Sequence, residues 1–172
     1  MADAIRLNLG AGYNYKHGFI NIDKDDKYKI DLKLDLEEAK LPYEDNSVEI
    51  IYASHVLEHI KNYIPLMKEI HRVLKNEGIL YILVPEFPCE SAVADPTHVR
   101  FFVPASFYLW TKTEQKDADT DNIRGHFEML WCESLPRDKG IFDRGKLGRW
   151  FTELEVELMK VDRANERLNE TK

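Results

Sequence analysis

Short apolar runs separated by polar turns recur through the first half of the chain and predict five β-strands. We expect these strands at Ile5–Leu9, Phe19–Ile22, Ile30–Leu34, Val48–Ala53 and Ile79–Val84. The fourth run is apolar almost throughout, which is typical of a central strand buried on both faces. The links between the first three strands are too short for the helices that usually connect parallel strands. The pattern therefore predicts a mostly parallel sheet with abbreviated helices.

A helical region is predicted to follow the fourth strand. It begins at Ser54, breaks near Lys61 and Asn62, and resumes with Pro65 in the first turn, where proline has no hydrogen bond to lose. Apolar positions then recur at helical spacing, and residues 76–78 are predicted to end the helix. These residues lead directly into the fifth strand.

The second half of the chain is less regular. Residues 86–100 are predicted to form a loop, 104–110 a short helix, and 112–122 a solvated polar connection. Two late apolar segments, 126–135 and 150–161, predict an antiparallel C-terminal hairpin.

The domain prediction follows from these elements. Residues 1–162 are expected to form a single Rossmann-like α/β domain, and residues 163–172 a frayed tail. The linker between the two late segments is rich in Lys and Arg, which favours a solvated loop or a contact with an anionic molecule.

Composition narrows the function. The chain has 172 residues and a net charge of −7, and an acidic chain of this kind is a poor match for a nucleic-acid surface. No apolar run approaches the roughly 20 residues that span a bilayer, and the first residues do not resemble a secretion signal. A cytoplasmic location without membrane contact is therefore expected. Cys89 and Cys132 lack the spacing of a metal site, so reduced structural thiols and no metal are predicted.

The end of the first strand carries the first sign of a ligand site. Gly10 and Gly12 flank Ala11, and glycines allow a sharp turn whose N–H groups approach a ligand closely. Asp23 ends the second strand, where its carboxylate can accept from both hydroxyls of a ribose. The two features together predict an adenosine-containing cofactor.

Further motifs make the interpretation more specific. The segments 35–36, 41–48, 54–60 and 69–78 together strongly resemble the class I methyltransferases, which use S-adenosylmethionine. The resemblance covers Ile5 to Pro85, about half of the chain.

The resemblance implies specific cofactor contacts. The turn from Asn8 and Leu9 through Gly10, Ala11 and Gly12 would lie beneath the methionine part of the cofactor. Asp23 and the adjacent Lys24 would lie at the ribose. Asp35 would accept from the adenine amino group while the backbone of Leu36 contacts the ring edge. Ser54 and His55 would face the sulfonium and the substrate.

Two positions depart from the family pattern. Asn8 replaces the usual acidic residue, which keeps an acceptor and loses a charge, and Asn14 stands at the third glycine position. Both changes are expected to weaken cofactor binding.

Methyl transfer requires alignment of the reactants and removal of a proton from the acceptor. His55 and His98 are the predicted catalytic residues, and His98 belongs to the Asp95-Pro96-Thr97-His98 segment that recurs in small members of the family. His98 has the alternative of a loop histidine held by Asp95. His59 is expected to pack within its helix rather than act as a base.

These features favour a methyltransferase acting on oxygen or nitrogen of a small molecule. A non-catalytic cofactor-binding or assembly module and an NAD-binding oxidoreductase are the alternatives. The short path from Gly12 to Asp23 disfavours the oxidoreductase, because a dinucleotide fingerprint runs into a long helix. Since missing helices leave apolar sheet uncovered, a homodimer or a partner that covers the sheet is expected.

Overall fold

The computed structural model describes residues 4–111, 127–136 and 152–161. Seven strands form one sheet. Their bounds are β1 (Ile5–Leu9), β2 (Ile20–Asp23), β3 (Leu32–Lys33), β4 (Val48–Ser54), β5 (Leu74–Pro85), β6 (Phe127–Pro136) and β7 (Thr152–Lys160). Three helices are present, α1 (Tyr63–Val73), α2 (Glu90–Ala94) and α3 (Ala105–Tyr108), with 3₁₀ turns at Leu36–Glu38 and Leu57–His59 among the described residues.

The strand order is β3-β2-β1-β4-β5-β7-β6. Pairing is parallel from β3 to β5, whereas β7 runs antiparallel to both β5 and β6. The predicted mostly parallel Rossmann-like sheet with an antiparallel C-terminal hairpin is confirmed. The order reverses between β1 and β4, and ligands of open α/β sheets bind at the carboxyl ends of strands at such a reversal.

One face of the sheet carries the core. Leu7 of β1, Ile51 of β4, Leu80 of β5 and Leu158 of β7 lie in one cross-strand row, and all four side chains are fully buried. Helix α1 contributes its apolar stripe to the same cluster, with Leu66, Met67, Ile70 and Val73 all fully buried. This packing fixes the turns at the ends of β1 and β4.

The opposite face is more open. Tyr52, Tyr81, Glu157 and Trp131 form a cross-strand row on it, and Trp131 is 53% exposed. Lys16, from the β1–β2 link, lies over the Tyr52 ring with its Nζ 3.8 Å from the ring centroid. The described part of the chain therefore leaves apolar surface on this face partly exposed.

The structure corrects several element predictions. The helix expected from Ser54 is replaced by a 3₁₀ turn, because His55 adopts a left-handed φ of 51° that interrupts helical geometry. Residues 76–78 lie inside β5, which begins at Leu74, so they do not form a helix stop. The predicted loop 86–100 contains α2. The third strand shortens to two residues.

Other element predictions agree with the structure. Helix α1 starts at Tyr63 with Pro65 in its first turn, and α3 falls within the predicted 104–110 segment. The predictions for the 112–122 connection, the basic linker and the 163–172 tail lie outside the described residues. None of the described helices has the length and apolar character needed to cross a membrane.

Candidate functional site

The glycine turn lies where β1 meets β2 and β4. Leu9 pairs with Ile22 on one side and with Ala53 on the other, so the residues that follow all three strands meet at one edge. Gly10 and Gly12 have φ values of 64° and 47°, in the left-handed region that favours glycine. A Cβ atom on Gly10 would lie 2.4 Å from Cγ2 of Val56. The turn therefore depends on the absence of a side chain at Gly10.

Asp23 is tied directly to the glycine turn. Its Oδ2 accepts a hydrogen bond of 2.9 Å from the Gly12 N–H, and its Oδ1 accepts one of 2.9 Å from the Asp25 N–H. The Ala11 N–H donates to the Ile22 carbonyl at 3.0 Å. A carboxylate has about four acceptor positions, so further capacity remains on Asp23 for hydroxyl donors. The strand-end acid and the turn form one preorganised unit.

The Asn8 side chain fixes the β1–β2 link, which follows the glycine turn, by two hydrogen bonds. Its Nδ2 donates to the Asn14 carbonyl and to Oδ1 of Asn21, each at 2.8 Å. A carboxylate at this position has no hydrogens to donate, so neither bond would form with the acidic residue usual in the family. The two departures from the family pattern, Asn8 and Asn14, are thus joined by one hydrogen bond.

Asn21 of β2 holds the β1–β2 link in place, a role that the sequence analysis missed. It is fully buried, its Oδ1 accepts from the Lys16 N–H at 2.7 Å, and its Nδ2 donates to the Lys16 and Phe19 carbonyls and to Oδ2 of Asp31. Hydrogen bonds from the Asn21 side chain and backbone hold the pKa of Asp31 below its usual range. A polar residue between Ile20 and Ile22 in a buried strand was the available signal.

The remaining predicted cofactor residues differ in their burial and in the element that carries them. Asp35 caps the first 3₁₀ turn, with Oδ1 accepting from the Glu37 N–H at 3.0 Å. Leu36 is only 5% exposed and packs in the core. Lys24 is exposed beside Asp23, and Ser54 ends β4 in a half-buried position.

His55 lies between two carboxylates just beyond β4. Its Nδ1 is 3.4 Å from Oε1 of Glu58, and its Nε2 is 3.4 Å from Oε1 of Glu153. The His55 N–H donates to the Leu83 carbonyl at 2.8 Å, which holds the residue at the end of the sheet. The ring is 43% exposed and lies at the edge that carries the glycine turn.

His98 lies in a more enclosed position than His55. Its side chain is 7% exposed, and its Nδ1 is 2.9 Å from the Ala92 carbonyl. The rings of His98 and His59 meet edge to face at a centroid distance of 4.8 Å. Asp95 stands 3.8 Å from Nε2 of His98, and hydrogen bonds from Thr97 hold the pKa of Asp95 below its usual range. The two predicted catalytic histidines therefore occupy different environments.

Glu58 is a second buried residue that the sequence analysis did not select. It lies within 3.4 Å of His55, and one ligand atom each of Glu58, His59 and His98 lie within 4.8 Å of one another. An acid between Leu57 and Ile60, which are both buried, was the only signal that the sequence offered.

Residues 10–82 match the methyltransferase domain family. A protein of Methanocaldococcus jannaschii is 35% identical over a segment that covers 44% of this chain and 36% of that protein. The matched segment is thus about a third of that relative's length.

Solved structures share the fold across nearly the whole chain. A chain from the complex between the Trm112 methyltransferase activator of Haloferax volcanii and a methyltransferase has 15% identity and a TM-score of 0.64. That match covers 93% of this chain and 84% of the other. The Burkholderia thailandensis 1,6-didemethyltoxoflavin-N1-methyltransferase, solved with bound 1,6-didemethyltoxoflavin and S-adenosylhomocysteine, has 16% identity and a TM-score of 0.61, and the match covers 92% of this chain and 72% of that one.

Proposed function

We propose that this chain, which carries a methyltransferase domain with the class I S-adenosylmethionine-dependent fold, transfers a methyl group to oxygen or nitrogen of a small-molecule acceptor. One observation carries the proposal. The Gly12 N–H donates to Oδ2 of Asp23 across the ends of β1 and β2, which joins a left-handed glycine turn to a strand-end carboxylate. That arrangement fits the methionine and ribose parts of one ligand.

The residues at this edge fit S-adenosylmethionine. A Cβ atom on Gly12 would have a single neighbour within 4 Å, the Gly10 carbonyl oxygen at 4.0 Å, so the turn has open space on this side. In the proposed complex the segment from Asn8 to Gly12 holds the methionine part, and Asp23 accepts from the ribose hydroxyls. Asp35 and Leu36 lie at the adenine. The cofactor supplies a methyl carbon already activated by positive sulfur.

The chain's own contribution is alignment and proton removal. Of the two predicted catalytic histidines, we propose His55 as the base, because its ring is exposed at the edge of the glycine turn. Oε1 of Glu58 lies 3.4 Å from Nδ1 and Oε1 of Glu153 lies 3.4 Å from Nε2, so each ring nitrogen faces a carboxylate. A small-molecule acceptor is supported by the Burkholderia neighbour, whose substrate is 1,6-didemethyltoxoflavin.

Calorimetric titration of the purified chain tests this function. S-Adenosylmethionine and S-adenosylhomocysteine are both expected to bind saturably, with one site per chain. Absence of heat with both ligands, in a chain whose circular dichroism shows it to be folded, would contradict the proposal.

In the described part of the chain one face of the sheet carries a partly exposed apolar row, which supports a second proposal, an assembly role in addition to catalysis. Tyr52, Tyr81 and Trp131 lie in one partly exposed row, and such rows recruit other chains. We propose that a second copy of the chain covers this face. The Haloferax neighbour, which comes from a complex with an activator protein, supports association in this fold.

Light scattering, which measures the molar mass in solution, tests whether two copies of the chain associate. A dimer is expected at high micromolar concentration, and Trp131→Glu is expected to shift the chain toward monomer. A monodisperse wild-type monomer at that concentration would contradict it.

A further inference from the structure

A second cluster of chemistry-bearing side chains lies beside the proposed methyl-transfer site. Glu58 and His59 come from the 3₁₀ turn after β4, and His98 comes from the segment between α2 and α3. The Val99 N–H donates to the Glu58 carbonyl at 2.9 Å and docks the two segments together. One ligand atom from each of the three side chains lies within 4.8 Å of the other two.

Glu58 brings to this cluster a buried carboxylate without hydrogen-bond partners among the described residues. Its side chain is 2% exposed, and neither carboxylate oxygen accepts a hydrogen bond from any residue that the structure describes. His55 approaches Oε1 to 3.4 Å on one side. A buried carboxylate is costly unless a positive charge or hydrogen-bond donors face it. The second carboxylate oxygen of Glu58, Oε2, is therefore suited to bind a cation.

In its neutral form His98 can offer a lone pair to the cluster. Its Nδ1 lies 2.9 Å from the Ala92 carbonyl, and since a carbonyl can only accept, Nδ1 carries the hydrogen. In the neutral ring Nε2 is then the acceptor. A histidine that donates one nitrogen to a backbone carbonyl and keeps the other for a cation is the usual arrangement of a metal ligand.

His59 is oriented in the same way. Its Nδ1 lies 3.0 Å from Oγ1 of Thr97 and 3.3 Å from the Thr97 carbonyl. The Thr97 hydroxyl donates its own hydrogen to Oδ1 of Asp95 at 2.6 Å, so Oγ1 accepts from His59. Nε2 of His59 is again the unprotonated nitrogen. The Asp95-Pro96-Thr97-His98 segment thus supplies one candidate ligand and orients another.

We propose that Glu58, His59 and His98 bind one divalent transition-metal ion, with Zn²⁺ the best match to two imidazoles and one carboxylate. Bonds of about 2.0–2.2 Å to a tetrahedral ion place ligand atoms about 3.3–3.6 Å apart, so the three ligand atoms have to approach one another by up to about 1.5 Å to bind one ion. The sequence analysis predicted no metal because the cysteines lack metal-site spacing and have no paired His or Cys at metal-ligand intervals. The site is separate from the glycine turn and goes beyond the proposed methyl transfer.

Zinc titration of the untagged chain, after treatment with a chelator and desalting, tests the site. One Zn²⁺ per chain is expected by calorimetry and by elemental analysis. His59→Ala and His98→Ala are each expected to weaken binding by more than about 100-fold, since loss of an outer partner alone costs 10–100-fold. Glu58→Gln preserves shape and removes the charge, and it is expected to weaken binding similarly. Co²⁺ substitution supplies a spectroscopic readout through visible d–d bands.

His17→Ala is the matched control, because the His17 ring meets the Tyr15 ring edge to face in the β1–β2 link and is not a member of the cluster. It is expected to bind Zn²⁺ like the wild type. Absence of saturable zinc binding, or equal affinity in the wild type and in folded His98→Ala, would overturn the metal site.

Titration of the same metal-free chain with S-adenosylhomocysteine distinguishes failure of the metal site from failure of the proposed methyltransferase function. Binding of S-adenosylhomocysteine without zinc binding would overturn the metal site alone. Zinc binding without S-adenosylhomocysteine binding would support the metal site and contradict the methyltransferase.

Discussion

The Asp23→Asn protein is expected to bind S-adenosylhomocysteine about 100-fold more weakly than the wild type. Hydrogen bonds to a charged group contribute about 1.5–3 kcal/mol each, and 2.7 kcal/mol corresponds to about 100-fold. The Asp23 carboxylate already accepts from the Gly12 and Asp25 N–H groups, one on each oxygen. An asparagine has one oxygen and would turn an NH₂ group toward one of these donors. The substitution therefore disturbs the glycine turn as well as the ribose contact.

Asp26→Asn is the matched control for this experiment. Asp26 is exposed three residues away and pairs with Lys33 through a contact of 2.6 Å. Exposed ion pairs of this kind contribute little to stability, so wild-type ligand binding is expected. Wild-type affinity in Asp23→Asn, measured by the same titration, would show that the ribose site is misplaced.

Gly10→Ala is expected to lower the free energy of unfolding by about 2–5 kcal/mol. A left-handed backbone costs a non-glycine residue roughly 1–2 kcal/mol, and overpacking against a buried side chain adds about 1–3 kcal/mol. The new Cβ would lie 2.4 Å from Cγ2 and 2.6 Å from Cβ of Val56, which is itself buried. Because the second atom is close to the backbone, rotation of the Val56 side chain cannot relieve the contact.

Gly18→Ala separates backbone strain from the steric clash. Gly18 has a φ of 80°, but a Cβ atom there would have nothing within 4 Å. Its expected cost is the backbone contribution of about 1–2 kcal/mol alone. Urea unfolding measures both variants, and equal losses would contradict the role assigned to Val56.

Much of the sheet could be predicted because buried parallel strands leave apolar runs in the sequence. The runs at Ile5–Leu9 and Val48–Ala53 correspond closely to β1 and β4, and the alternation near Leu154 and Val156 corresponds to β7. The glycine turn and Asp23 were visible for the same reason, since each ends such a run. The hydrogen bond between Gly12 and Asp23 places them together as the pattern indicated.

The remaining features depend on contacts that are distant in sequence. The stretch after Ser54 has helical spacing, yet the His55 N–H donates to Leu83 of the neighbouring strand, and His55 adopts a left-handed φ. Asn21 gains its role from residues on both sides of a tight link, and Glu58 gains its role from a segment that returns after β5. Local propensity carries no information about any of these partners.

A competition titration of the wild-type chain with S-adenosylhomocysteine and NAD determines which of the two cofactors the glycine turn and Asp23 bind. We expect saturable binding of S-adenosylhomocysteine that excess NAD does not displace, because the short link from Gly12 to Asp23 leaves no long helix for a dinucleotide pyrophosphate. Saturable NAD binding with no heat from S-adenosylhomocysteine would contradict it.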